Sequence, residues 1–180
     1  AESRLTDLCP PMRPLLWPAD RIAAAARAVS PDAPYLAVHL RHGNGEHLHG
    51  RAEGTTGTFG EYMARIADHA MKTADEAGLA HIVCLSDNAD TARDLAARTG
   101  GTAPDPGHLP DKPHMDYFRS ASSAADHADR LEKVLIDLAV LGNGARIVGA
   151  PSLFCHAAAL YGPVDRMRLY APDGRVDRFA

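Results

Sequence analysis

The sequence predicts an α/β protein built on a Rossmann-like parallel sheet with helices on both faces. Three observations lead there. Residues 35–40, Tyr-Leu-Ala-Val-His-Leu, are apolar at five of six positions without polar alternation, as in a strand buried on both faces of a parallel sheet. Strand-like and helix-like segments alternate four times along the chain, the pattern of βα units that cover both sides of a sheet. The first strand ends in Arg41-His42-Gly43-Asn44-Gly45-Glu46-His47 and the second in Ser86-Asp87-Asn88, polar turns placed where open α/β sheets hold their ligands.

The elements follow in order. Residues 9–18 hold four prolines and read as an extended linker. Residues 20–29 are Ala-rich and helical, with Asp20 as N-cap and Pro31 beyond the end. These segments (1–34) precede a domain over 35–180, whose first strand spans 35–41. Thr58 and Glu61 form a capping box for a helix that Gly78 closes. Along it Met63, Ile66, Ala67, Ala70, Met71, Ala74 and Ala77 recur at helical spacing as one buried stripe. A strand over 81–85 and a helix over 90–98 come next. Residues 100–116, with four prolines and three glycines, read as a functional or mobile loop. A helix follows from Ser122-Ser123 to Leu141, ended by Gly142. The remaining elements are a strand over 146–149, a short helix over 153–161 capped by Ser152, and a strand over 166–170 before a Pro-Asp-Gly turn.

Composition excludes several classes of function. A net charge of -4 and a pI near 6.2 do not suit a nucleic-acid binder. No apolar run reaches the roughly 20 residues of a membrane span. The first residues lack a signal-peptide layout, and Cys9, Cys84 and Cys155 are too far apart for a CxxC pair. A globular protein of the cytoplasm, with free thiols, is the expectation. Gly43, Gly45 and Gly50 miss the dinucleotide fingerprint, and no Walker lysine is present. A GxSxG serine site is missing too, and Cys155 and His156 are adjacent helical positions that do not face each other.

Among candidate site residues, Asp137 stands out energetically. It lies in Val134-Leu-Ile-Asp-Leu-Ala-Val-Leu141, a helical stretch otherwise apolar on every side. A buried carboxylate there requires a partner: an ion pair with Arg41 or Arg146, or the N–H groups of a ligand such as guanine. Arg41, at a strand end before glycines, suits bidentate phosphate binding, against the alternative of a surface charge. His39 is a core histidine unless its ring faces the crevice. Ser152 is either a plain N-cap or part of a phosphate site with the amides of Leu153 and Phe154. Asp87 either takes a ribose hydroxyl or serves the turn with Asn88. Four histidines, His39, His42, His47 and His49, crowd one region without metal-site spacing, and no metal is expected. Glu46, the one carboxylate of that loop, is the general-base candidate.

Val38-His-Leu-Arg-His-Gly-Asn-Gly-Glu46 resembles the VHxRHGNGE motif of the bacterial nodulation (NodZ-like) fucosyltransferases, whose wider α1,6-fucosyltransferase family has His-x-Arg-Arg at this place. Leu135-Ile-Asp137 with Leu141, then Ile147-Val148 and the Ser152 turn, resembles a second motif of those enzymes, and Ser86-Asp87 a third. The resemblance implies the C-terminal, donor-binding half of a GT-B-like glycosyltransferase. It would bind GDP-fucose and transfer fucose, with inversion and without a metal, to an oligosaccharide acceptor. In that reading His39 and Asp137 hold guanine, Arg41 grips the β-phosphate, and Ser152, Leu153 and Phe154 take phosphate through the hydroxyl and backbone. Asp87 lies near the nucleoside, His42 and Asn44 bind the GDP-sugar with the Gly43–Glu46 turn toward the sugar, and Glu46 or a loop histidine takes the hydroxyl proton. Acceptor recognition falls to a separate half or a second copy of the chain. Two other readings are a non-catalytic GDP-sugar-binding module and a Rossmann-like domain for another phosphorylated ligand.

Overall fold

The computed structural model describes residues 19–42, 58–104, 120–161, 166–172 and 174–178. Its centre is a strand buried at every position, β1 (Tyr35–His39). On one side β1 pairs in parallel with β2 (His81–Leu85), with Tyr35 opposite His81 and His39 opposite Leu85. On the other it pairs in parallel with β3 (Arg146–Gly149), with His39 opposite Gly149. Beyond β3 lie the parallel β4 (Met167–Tyr170) and an antiparallel edge strand, β5 (Val176–Arg178). The order is β2-β1-β3-β4-β5. The α/β fold with a four-stranded parallel sheet is the one the sequence predicts. Strand β5 was not part of that expectation; it is three residues long and carries little apolar signal.

Among the described residues five helices cover the sheet. The helices α1 (Asp20–Val29), α4 (Ala124–Asn143) and α5 (Leu153–Ala159) pack with Tyr35, Ala37 and Ile147 on one face. On the other, α2 (Phe59–Ala77) and α3 (Ala89–Thr99) meet Leu36, Val38, Leu40 and Val148. The alternation within β1 thus feeds two cores at once, which is why the strand lacks polar positions. The Tyr35 hydroxyl ties β1 to α4, donating to the Val140 carbonyl at 2.6 Å.

Local signals explain most boundaries. The capping box of Thr58 and Glu61 is formed, and Gly78 ends α2 in the left-handed region at φ 63°. The buried stripe of α2 shifts slightly: Met71 and Ala77 are exposed, and Tyr62 and Thr73 take their place in the core. Asp20 is the first residue of α1 and does not cap it; Ala19 holds that position without a side-chain bond. Helix α4 passes through Gly142 and is capped by Gly144. Gly142 is there for close packing, since a Cβ would lie 2.8 Å from Cβ of Tyr161.

Gly149 matters more for the site. A Cβ at this position would stand 2.5 Å from the His39 carbonyl oxygen and 3.2 Å from Sγ of Cys155. Gly149→Ala must therefore push β3 from β1 or expel Cys155. A loss of roughly 1–3 kcal/mol is expected, seen as a Tm lower by about 3–10 °C in thermal unfolding.

Candidate nucleotide-binding site

The helix that follows β1, α2, lies on one face of the sheet, and the helix that follows β3, α5, lies on the other, so the chain leaves the two neighbouring strands along opposite paths. A crevice opens where these paths diverge, at the carboxyl ends of β1 and β3, the usual ligand position in a doubly wound sheet. It holds a cavity of about 420 Å³ lined by His39, Arg41, Leu85, Ser86, Asp87, Val134, Asp137, Ser152, Leu153 and Phe154. That volume suits a small-molecule site. Seven of these ten are candidates named from the sequence, brought together from β1, the β2–α3 turn, α4 and the β3–α5 turn. Asn44 and Glu46 lie outside the described residues, as do His47 and His49.

The rim at β1 is organised by Asp87. Its carboxylate accepts the backbone N–H of His42 at 2.5 Å and stands 4.0 Å from the Arg41 guanidinium. The His42 ring bonds the Thr91 hydroxyl at 2.8 Å, which fixes the chain as it leaves the sheet. Capping of α3 falls to Asn88, whose side chain accepts the Thr91 N–H at 2.9 Å. Arg41 itself keeps 46% of its side-chain surface exposed, free to turn toward an anion.

Ser152 caps α5 by accepting the Cys155 N–H at 3.2 Å. Its backbone carbonyl is engaged by the His156 ring at 2.5 Å. Cys155 turns the other way, placing its sulfur 3.5 Å from Nδ1 of His39. The adjacent Cys155 and His156 therefore serve separate contacts. Phe154 packs its ring on His39 at 4.9 Å between centroids, and Leu153 stands at the mouth, 89% exposed.

Asp137 forms the opposite wall. The ion pair with Arg41 or Arg146 that its sequence context suggests is not made: Arg41 stands beside Asp87, and Arg146 donates to the Ala145 carbonyl at 3.3 Å. Asp137 is 8% exposed, and its Oδ1 has no hydrogen-bond partner among the described residues. Burial raises its pKa to about 8, so the carboxyl is mostly protonated at neutral pH. Burial acts on His39 in the opposite sense, lowering it to about 4 and keeping the imidazole neutral. A buried, unsatisfied carboxyl facing open space is an acceptor without a donor. Nor is α4 buried all round, for Leu131 and Leu135 are exposed on its outer side.

Ser86, in the strand-end turn singled out from the sequence, completes the lining with Leu85 and Val134, which the sequence reading had not placed in the site. Val134 was within reach, being three residues before Asp137 and so on the same helical face. Leu85 follows from the register that sets it beside His39. No helix among the described residues is long and apolar enough to cross a membrane.

No protein-family model matches the sequence, and no curated protein matches it. Among solved structures, the chain is similar to POFUT1 in complex with GDP-fucose, at 16% identity and a TM-score of 0.52 over 83% of this chain and 46% of that one. It is likewise similar to POFUT1 in complex with GDP, at 16% identity and a TM-score of 0.50, over 83% and 47%. The chain thus spans about half the length of these structures. At this identity the similarity is one of fold: a Rossmann-like sheet of the kind found in a protein that holds GDP-fucose.

Proposed function

We propose that this chain is the GDP-fucose-binding half of a GT-B-like, NodZ-type inverting fucosyltransferase. The observation that carries the reading is the unpaired carboxyl of Asp137 in the same cavity as His39 and Arg41. Guanine offers the missing partner, because its N1–H and N2–H groups can both donate to one carboxylate. Each such charge-assisted bond contributes about 1.5–3 kcal/mol, enough to offset ionising a carboxyl whose pKa burial has raised. His39 addresses the base from the other wall.

Arg41 takes the β-phosphate. When an acceptor hydroxyl attacks the anomeric carbon, the bond from sugar to GDP breaks and negative charge grows on the departing phosphate. A guanidinium already beside those oxygens stabilises that charge more than the ground state. Asp87, by holding the His42 backbone and facing Arg41, positions the arginine and lies near the nucleoside. Ser152 with the amides of Leu153 and Phe154 supports the phosphates, His42 and Asn44 stand toward the sugar, and Glu46 takes the acceptor proton. The acceptor, an oligosaccharide, is bound by a separate half or by a second copy of the chain. The free, buried thiols of Cys84 and Cys155 suit a cytoplasmic setting.

Calorimetry with GDP-fucose, GDP-mannose and UDP, followed by assay of GDP release with and without chitooligosaccharide, tests this reading. Saturable binding of the GDP-sugars, none of UDP, and release of GDP from GDP-fucose are expected. Binding without any GDP release leaves a GDP-sugar-binding module and removes the catalytic role.

A further inference from the structure

We propose that Cys155 is a positioning residue that sets the hydrogen-bonding sense of His39. The cavity then offers a donor beside the acceptor Asp137 and selects a purine whose edge carries an acceptor next to N–H donors. The inference rests on the reading of the cavity as a guanine-nucleotide site and deepens it. Cys155 is fully buried in α5, and its sulfur reaches Nδ1 of His39 across the seam between β1 and β3 at 3.5 Å. The approach depends on the bare Cα of Gly149, where a Cβ would stand 3.2 Å from the sulfur. Phe154, tilted 34° against the imidazole with ring centroids 4.9 Å apart, holds the ring in that orientation.

One proton decides what the imidazole presents. A neutral imidazole carries a hydrogen on one nitrogen and a lone pair on the other. Burial keeps His39 neutral, with a pKa of about 4, and keeps the Cys155 thiol protonated, with a pKa of about 12. With both groups neutral either could donate across this contact; in the proposed sense the S–H donates to the Nδ1 lone pair, which leaves the ring hydrogen on Nε2. His39 lines the cavity, and with Nδ1 taken up by the Cys155 thiol, Nε2–H is the group offered to a ligand. Guanine presents O6 as an acceptor to such a donor and N–H groups to Asp137. Adenine carries an N6 amino donor where guanine has O6, and sets donor against donor.

The test uses ring-nitrogen NMR of 15N-histidine-labelled protein, free of nucleotide, with GDP and ADP titrations of the wild type, Cys155→Ala and Cys155→Ser. The wild type is expected to show His39 as the Nε2–H form. Cys155→Ala should mix the two tautomers, bind GDP about 3–10-fold more weakly and narrow the preference for GDP over ADP by the same factor, the worth of one hydrogen bond. Cys155→Ser, whose hydroxyl also donates, should restore both. An Nδ1–H form in the wild type overturns the proposal without any variant having to fold. A folded Cys155→Ala protein with an unchanged tautomer and GDP-to-ADP ratio overturns it too. Failure of the wild type to bind GDP refutes the nucleotide reading instead, while the NMR of the free protein still decides the tautomer.

Discussion

Replacing Asp137 by asparagine is expected to stabilise the ligand-free protein and to abolish its binding of GDP. The two effects share one cause. The folded-state pKa of Asp137 is about 8, against 3.8 for an unperturbed carboxyl. Between those values the folded protein holds a proton that the unfolded chain has lost, so this group makes stability fall as pH rises. At about 1.4 kcal/mol per unit, the cost approaches about 4 kcal/mol by pH 7. An amide, neutral at every pH, avoids it. A Tm raised by roughly 5–15 °C at pH 7 follows. His39 contributes with the opposite sign. Its pKa is lowered from 6.5 to about 4, so its contribution is full above pH 6.5 and is lost as pH falls toward 4. The two slopes oppose each other below pH 6.5, and above it the Asp137 slope stands alone. Thermal melts from pH 6.5 to 8 should therefore fall for the wild type and stay flat for Asp137→Asn. Guanine N–H donors pull Asp137 toward its ionised form, so GDP binding should release up to one proton at neutral pH and tighten as pH rises to about 8. An asparagine has one neutral acceptor oxygen and sets its NH2 donor against a guanine N–H, and a loss of at least ~100-fold in GDP affinity is expected. A variant that binds GDP normally, or is less stable than the wild type at pH 7.5, contradicts this account of Asp137.

Arg41→Ala is expected to lower GDP affinity by about 100-fold while leaving the Tm within roughly 2 °C. Stability is spared because the Arg41–Asp87 pair, at 4.0 Å with the arginine half exposed, contributes little. Arg41→Lys restores the charge but not the two-pronged contact with phosphate, so only part of the affinity returns. The GDP affinity of the wild type should also weaken with added salt, and that of Arg41→Ala should weaken less. Isothermal titration at two salt concentrations measures both. An Arg41→Ala protein with unaltered affinity removes Arg41 from the phosphate site.

Much of the fold is legible in the sequence because its signals are local. The unbroken apolar run of β1, the capping box at Thr58, and Gly78 after α2 each act within a few residues. The strand order is not local: nothing in the connecting segments says that β1 lies between β2 and β3, and that adjacency creates the crevice. The contact of Cys155 with His39 depends on the same adjacency, 116 positions apart in the chain, and so was invisible. Asp137 is the instructive case. Its energetic problem could be read directly, but a basic partner from within the chain was an equally good solution until Arg41 proved to stand beside Asp87. The apolar character of α4 misleads for a related reason, since Leu131 and Leu135 face outward.

The cavity at the ends of β1 and β3 is proposed to hold a guanine nucleotide between Asp137 and Arg41. Calorimetric titration of the wild-type chain with GDP at pH 7.5, set beside Asp137→Asn, tests it most directly. Saturable one-site binding by the wild type, lost in a variant that melts at a higher temperature, is the expected result. No heat of binding to the wild type at millimolar GDP contradicts the claim.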